Sequence, residues 1–124
     1  MDNLEPNVYR QRLVIEGHYG IEDPMSDFMR VFLNDLSKVL VMKIFSGPFC
    51  WPPDPWNDPE VYLDEHRGLN GFVAWEESGC HVYIWKRYQF FTVDVYSCKP
   101  FNADEVVEFT KKYFSSTDAV YGTY

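Results

Sequence analysis

Apolar and polar residues alternate between Arg10 and Gly17. Leu13 and Ile15 point to one side and Arg12, Val14 and Glu16 to the other, which predicts a strand. His18-Tyr19-Gly20 ends it. Asp23-Pro24 then offers an N-cap and a first helical residue. Met25, Phe28, Met29, Phe32, Leu33 and Leu36 recur at helical spacing, so one apolar stripe runs along the helix that follows. Val39 to Phe45 is rich in β-branched and aromatic residues and predicts a second strand. Gly47 to Arg67 breaks the pattern with Pro48, Pro52, Pro53, Pro55 and Pro59, and with Trp51 and Trp56. Prolines cannot donate to a strand ladder, so a long loop is expected there, with one short turn near Pro59 to Leu63. Its tryptophans suit a cap on one end of the core, a substrate lid or a protein contact.

Three further strands follow over Gly71 to Glu76, Cys80 to Lys86 and Phe90 to Cys98, joined by turns at Ser78-Gly79 and around Arg87-Tyr88. Asn102 caps a second helix, and Glu105 three residues later completes a capping-box pattern. Val106, Phe109, Tyr113 and Phe114 form its inner stripe. Asp118 to Tyr121 predicts a last short strand. Residues 1–124 therefore read as one α+β domain without repeats. It is a two-layer sandwich, an antiparallel sheet with both helices on one face.

The two faces of that sheet differ. Cys80, Val82 and Ile84, with Phe91, Val93 and Val95, form aliphatic and aromatic rows suited to the helices. His81, Tyr83 and Trp85, with Phe90, Thr92, Asp94, Tyr96 and Cys98, form the other rows. A single helix layer leaves these aromatics in water, which is unfavourable at this density. A ligand or a partner subunit is expected to cover them, and a homodimer is the simplest choice.

Composition narrows the functional classes. With 19 acidic and 11 basic side chains the net charge is -8, which argues against nucleic acid and anionic membranes and favours a cationic small molecule. No apolar run is long enough to span a bilayer, and Met1 to Gln11 is polar and charged. Cys50, Cys80 and Cys98 are odd in number and contain no Cys-x-x-Cys pair, so free thiols in a cytoplasmic protein are expected. His18, His66 and His81 lack metal-ligand spacing, and no metal is expected.

Taken singly, the candidate chemical residues have ordinary structural readings. Ser78-Gly79 is a common turn pair. Cys98 can be a small buried hydrophobe. Glu76 and Glu77 can be solvated turn residues, His81 a hydrogen-bonded interface residue, and Tyr83 and Trp85 core or interface aromatics. Their joint spacing carries more. Glu77-Ser78 is followed by Trp85 seven residues after the serine and by Cys98 twenty residues after it, within Asp94-Val95-Tyr96-Ser97-Cys98. Together with Gly68 to Gly79 and the opening Gln11-Arg12-Leu13-Val14, this resembles the bacterial and archaeal S-adenosylmethionine decarboxylases. That family has a Glu-Ser pair, a His-Thr-Trp triplet and an Asp-Val-Phe-Thr-Cys stretch.

The resemblance implies that fold, usually as a dimer, and a definite chemistry. The chain would cut itself between Glu77 and Ser78 and convert Ser78 into a pyruvoyl group, the electron sink for decarboxylating S-adenosylmethionine in polyamine and spermidine synthesis. Ser78, Glu77, Cys98, Tyr83 and His81 would be the catalytic residues, Cys98 as the proton donor. Trp85, Asn70 and Glu76 would bind the substrate, Trp85 shaping the adenosyl site. Four positions depart from the family. Tyr83 replaces its His, Ile84 its Thr, Asn70 a Ser and Gly79 a second His. The replaced Ser and first His assist self-cleavage in the family, whereas a phenol is a poor general base at neutral pH and an amide cannot shuttle a hydroxyl proton. His81, two residues from Tyr83 on the same face, is the nearest substitute. These departures leave room for another amino acid substrate, such as ornithine or arginine. They also leave room for an unprocessed homologue, without the pyruvoyl group, that binds or otherwise acts on S-adenosylmethionine, or for a purely structural interaction domain.

Overall fold

The computed structural model describes residues 2–24, 26–51 and 68–124. Met25 and residues 52–67, which include Trp56, His66 and four of the loop prolines, lie outside the described residues. Strands β1 (Gln11–His18), β2 (Ile44–Trp51), β3 (Gly68–Trp75), β4 (Ser78–Trp85), β5 (Phe90–Ser97) and β6 (Val120–Thr123) form a six-stranded sheet in the order β2-β3-β4-β5-β1-β6. Every neighbouring pair is antiparallel. Helices α1 (Ser26–Val39) and α2 (Ala103–Phe114) cover one face.

Period-two patterning sets that face. Leu13, Ile15, Leu69, Val73, Trp75, Cys80, Val82, Ile84, Phe91, Val93 and Val95 all point into the core. Met29, Phe32, Leu33 and Leu36 of α1 and Val106, Val107 and Phe114 of α2 meet them at helical spacing. An aromatic cluster joins the layers. Phe114 stacks on Phe91 at 4.1 Å between ring centroids and meets Phe28 and Phe32 edge-on at 5.2 and 5.1 Å. The helices are tied by Tyr113, whose hydroxyl donates to Asp35 Oδ2 at 3.1 Å. Gly71 lets α1 lie close to β3, because a Cβ there would meet Met29 Cε at 2.9 Å. Asn102 caps α2 as expected, its side chain accepting the Glu105 amide. A 3-10 turn at Lys86–Tyr88 makes the expected link from β4 to β5.

Three local expectations change. Helix α1 is described from Ser26, and Met25, between it and Asp23-Pro24, lies outside the described residues. The Asp23 carboxylate also meets Lys86 Nζ at 3.1 Å, a lysine whose side chain is only 7% exposed. Val39 to Phe45 is not a strand of its own. Helical bonding carries α1 to Val39, and Val41 adopts a left-handed conformation (φ 53°) while the Met42 amide reaches back to the Ser37 carbonyl. Strand β2 therefore starts at Ile44 and runs through Gly47 to Trp51, where a loop was expected. It tolerates Pro48 because it is an edge strand with two register shifts against β3. The β3–β4 turn is Glu76-Glu77 rather than Ser78-Gly79. Trp75 is fixed by donating Nε1–H to Ser37 Oγ at 2.8 Å and pairs directly with Ser78, so Ser78 opens β4.

The face away from the helices carries the expected aromatic and polar rows apart from Cys98, which lies beyond β5 with its thiol beside Ser78. Phe72 and Tyr96 are 45% and 38% exposed, the Tyr83 and Trp85 rings meet at a tilt with centroids 4.2 Å apart, and the Arg12 guanidinium lies 5.2 Å from the Tyr96 ring centroid. Phe49 and Trp51 of β2 pair with Phe72 and Asn70 and extend this surface to the sheet edge.

Candidate active site

The β3–β4 turn brings Glu77, Ser78 and Cys98 together. Glu77 is held at φ 58°, a sparsely populated conformation for a residue with a Cβ. Ser78 follows it in the helix-facing row of β4, beside the end of β5. The Cys98 amide donates to Ser78 Oγ at 3.3 Å, and Cys98 Sγ lies 3.9 Å from the same oxygen. The thiol also donates to Glu77 Oε2 at 3.4 Å. Ser97, fully buried, places its Oγ 3.5 Å from Ser78 Oγ.

Two grooves flank this cluster. One, of about 850 Å³, is lined by Val41, Lys43, Phe45, Glu76, Cys98 and Lys99 among others. Its charges are balanced: Lys43 Nζ approaches Glu76 Oε1 at 3.7 Å, and Lys99 Nζ donates to the Val41 carbonyl at 3.1 Å. The other, of about 780 Å³, opens on the uncovered face between Arg12, Phe72, Ser78, His81, Asp94 and Tyr96. Glu77 lines both.

The three cysteines separate by environment. Cys80 is in the core, where burial first and the Asp94 charge second push its thiol up, keeping it protonated and inert. Cys50 lies in edge strand β2 with Sγ 3.6 Å from Met29 Sδ. Cys98 is the thiol at the serine. None of the three is in a disulfide, and among the described residues no group of three or more His, Cys, Asp or Glu side chains is placed to hold a metal.

The fold is similar to the crystal structure of the adenosylmethionine decarboxylase from Aquifex aeolicus VF5. The TM-score is 0.67 at 16% identity, over 94% of this chain and 89% of that one, so the likeness is one of fold. No curated protein gives a significant match. A sequence profile described as S-adenosylmethionine decarboxylase matches residues 25–123. The chain belongs to the S-adenosylmethionine decarboxylase family.

Within this family member the expected site residues divide into two groups. Ser78, Glu77, Cys98 and Glu76 meet at the turn. Asn70, His81, Tyr83 and Trp85 do not reach it. Tyr83 is five residues along β4 from Ser78, roughly 17 Å at about 3.4 Å per residue, and on the opposite face of the sheet. Asn70 Oδ1 and His81 Nε2 are hydrogen-bonded to each other there, and Trp85 lies between Tyr83 and Phe90, 5.5 Å from the latter ring. Ser97, Lys43 and Lys99 were not singled out by the sequence reading. Ser97 carried one signal, a hydroxyl immediately before Cys98 at the position of the family's Thr. The two lysines carried none, because loop and strand-edge cations look like solvated charges. The residues at the turn fit the family's pyruvoyl group, which needs a serine hydroxyl free to turn on its own peptide bond and a proton-carrying neighbour.

Proposed function

We propose that this chain cuts itself between Glu77 and Ser78 and decarboxylates S-adenosylmethionine by means of the pyruvoyl group that Ser78 becomes, supplying polyamine synthesis. The observation that supports this is the placement of Cys98, with its amide at 3.3 Å and its thiol at 3.9 Å from Ser78 Oγ, beside a Glu77 of unfavourable backbone conformation. Ser78 Oγ attacks the Glu77 carbonyl carbon through a five-membered ring. The C–N bond breaks, the hydroxyl proton moves to the freed Ser78 nitrogen, and an ester results. Loss of the Ser78 Cα proton expels the Glu77 carboxylate, and water then replaces the nitrogen, which leaves as ammonia. No external oxidant or reductant is needed.

Once formed, the ketone supplies an electron sink for the pair left behind by departing carbon dioxide. Cys98 holds at Sγ the proton that the product carbon requires. Glu76 and Glu77 give the grooves carboxylates suited to a sulfonium cation, in keeping with the net charge of -8.

The uncovered face supports a homodimer as the working unit. Tyr83 and Trp85 lie far along β4 from their own Ser78, and a second copy packed on this face would bring such groups to the groove that Ser78 and His81 line. Among the described residues no helix is long and apolar enough to cross a membrane.

Release of labelled carbon dioxide from carboxyl-labelled S-adenosylmethionine tests the activity. We expect release from that substrate and not from ornithine or arginine. Cys98→Ala should reduce it by roughly 10²-fold or more, the size of a lost general acid. No release from S-adenosylmethionine by the wild-type chain sinks the assignment.

A second reading, an unprocessed homologue that binds S-adenosylmethionine, is favoured by one observation. Asn70 and His81 are hydrogen-bonded to each other, whereas Ser78 Oγ is engaged by Ser97 and Cys98. It would show as a thermal shift with ligand in an uncut chain.

A further inference from the structure

We infer that Ser97 is a positioning residue for self-cleavage: its hydroxyl fixes the direction of the Ser78 O–H so that a lone pair of Ser78 Oγ faces the Glu77 carbonyl. This rests on the reading that Ser78 attacks its own peptide bond. It concerns a residue that neither the Glu-Ser pair nor the thiol accounts for.

A serine hydroxyl has one proton to give and two lone pairs. Those of Ser97 are all assigned. Its proton goes to the Lys99 carbonyl at 2.7 Å, and one lone pair takes the Lys99 amide at 3.0 Å. The remaining lone pair faces Ser78 Oγ at 3.5 Å. Because the Ser97 proton is already committed, Ser97 can only accept from Ser78. The Ser78 proton is therefore turned toward the end of β5. The Cys98 amide, at 3.3 Å on the same oxygen, occupies a second direction. Cys98 Sγ lies 3.9 Å from the same oxygen, so the contacts on Ser78 Oγ all come from the end of β5 and leave it able to turn on its own peptide.

The contact at 3.5 Å is longer than a formed O–H···O bond, as catalytic contacts often are before reaction. Ser97 is no base, since a hydroxyl whose proton is held by a carbonyl has little affinity for another. Its contribution is orientation. Burial supports this role. Ser97 ends the core-facing row of β5 and pairs with Gln11 of β1, so its side chain is locked by the sheet rather than by solvent. The Lys99 loop is tied down a second time by Lys99 Nζ on the Val41 carbonyl, which limits how far the acceptor can drift.

The test is a time course of intact mass after cell-free synthesis, comparing wild type with Ser97→Thr, Ser97→Val and Ser97→Ala. Thr and Val have nearly the same shape, and only Thr keeps the hydroxyl. We expect Ser97→Thr to cut at a rate close to wild type and Ser97→Val to be slower by about tenfold, the effect of one lost hydrogen bond of ordinary strength. A merely structural role, holding Lys99 through the same hydroxyl, would lower the melting temperature of Ser97→Val, so rates are compared well below every variant's melting temperature, where that role predicts equal cutting. Equal rates for Thr and Val overturn the inference. Should the larger side chains prevent folding, Ser97→Ala takes their place: a somewhat lower melting temperature from the lost Lys99 bonds and slower cutting well below it are expected, and an unchanged rate there overturns the inference. A wild-type chain that never cuts overturns the reading beneath it as well. A wild-type chain that cuts while Ser97→Val and Ser97→Ala keep pace overturns the role of Ser97 alone.

Discussion

Replacing Ser78 with alanine should leave a single uncut chain of 14.7 kDa and no decarboxylation of S-adenosylmethionine. The effect is all-or-none because the change removes the attacking atom itself. The Cys98 thiol is 3.9 Å from Ser78 Oγ, but a thiolate there would cut at Glu77 without creating a keto group at position 78. The fold should survive. Ser78 is half-buried at a strand end, and the Cys98 amide that loses its acceptor is next to a solvent-filled groove, so the cost should stay near 1 kcal/mol. Mass spectrometry gives the first outcome and a thermal melt the second. An uncut but unfolded variant would make Ser78 structural.

The second large effect is on stability. Phe114→Ala should cost about 3–5 kcal/mol, the usual range for deleting a buried aromatic side chain. Phe114 is fully buried and touches both layers: it stacks on Phe91 of the sheet at 4.1 Å and meets Phe28 and Phe32 of α1. Phe28 and Phe32 are held by ring contacts to Tyr113 and Phe109, which limits their collapse into that space. For a domain of this size the loss is a large share of the total stability, and Tm should fall by roughly 10–20 °C. A shift of only a few degrees would show that the aromatic cluster is not what joins α2 to the sheet.

The layer arrangement was legible because it follows from periodicity alone. Cys80, Val82 and Ile84 and the row of Phe91, Val93 and Val95 are all buried, and the α2 stripe at Val106 and Phe114 closes over them. What was not legible depended on partners distant in sequence. The ion pair of Asp23 with Lys86 joins positions 63 residues apart and has no sequence signal. Val39 to Val41 has strand propensity, yet the amide bonds from Leu40, Val41 and Met42 back into α1 override it. Pro48 argues against a strand except at an edge, and edge position is a property of the whole sheet.

The site shows the same division. Joint spacing marked Glu77, Ser78 and Cys98, which the hairpin and the end of β5 bring together. Alternation already put His81, Tyr83 and Trp85 on the face away from the helices; the family spacing could not show that Ser78 lies apart from them, because a turn at Ser78-Gly79 would have left Ser78 outside the strand. With the turn at Glu76-Glu77, Ser78 joins the inward row, and the odd-numbered residues of β4 face away from the helices. Ser97 was hidden for a different reason: a buried serine next to a cysteine has no pattern until its three hydrogen-bonding directions are known.

The central claim is that Ser78 becomes the amino-terminal group of a new chain. Intact-mass analysis of the purified wild-type protein after prolonged incubation tests it most directly. The expected result is two pieces split between Glu77 and Ser78. The piece beginning at position 78 should have a blocked amino terminus and be lighter by one ammonia than plain hydrolysis would leave. A single full-length chain of 14.7 kDa that persists through the incubation would contradict it.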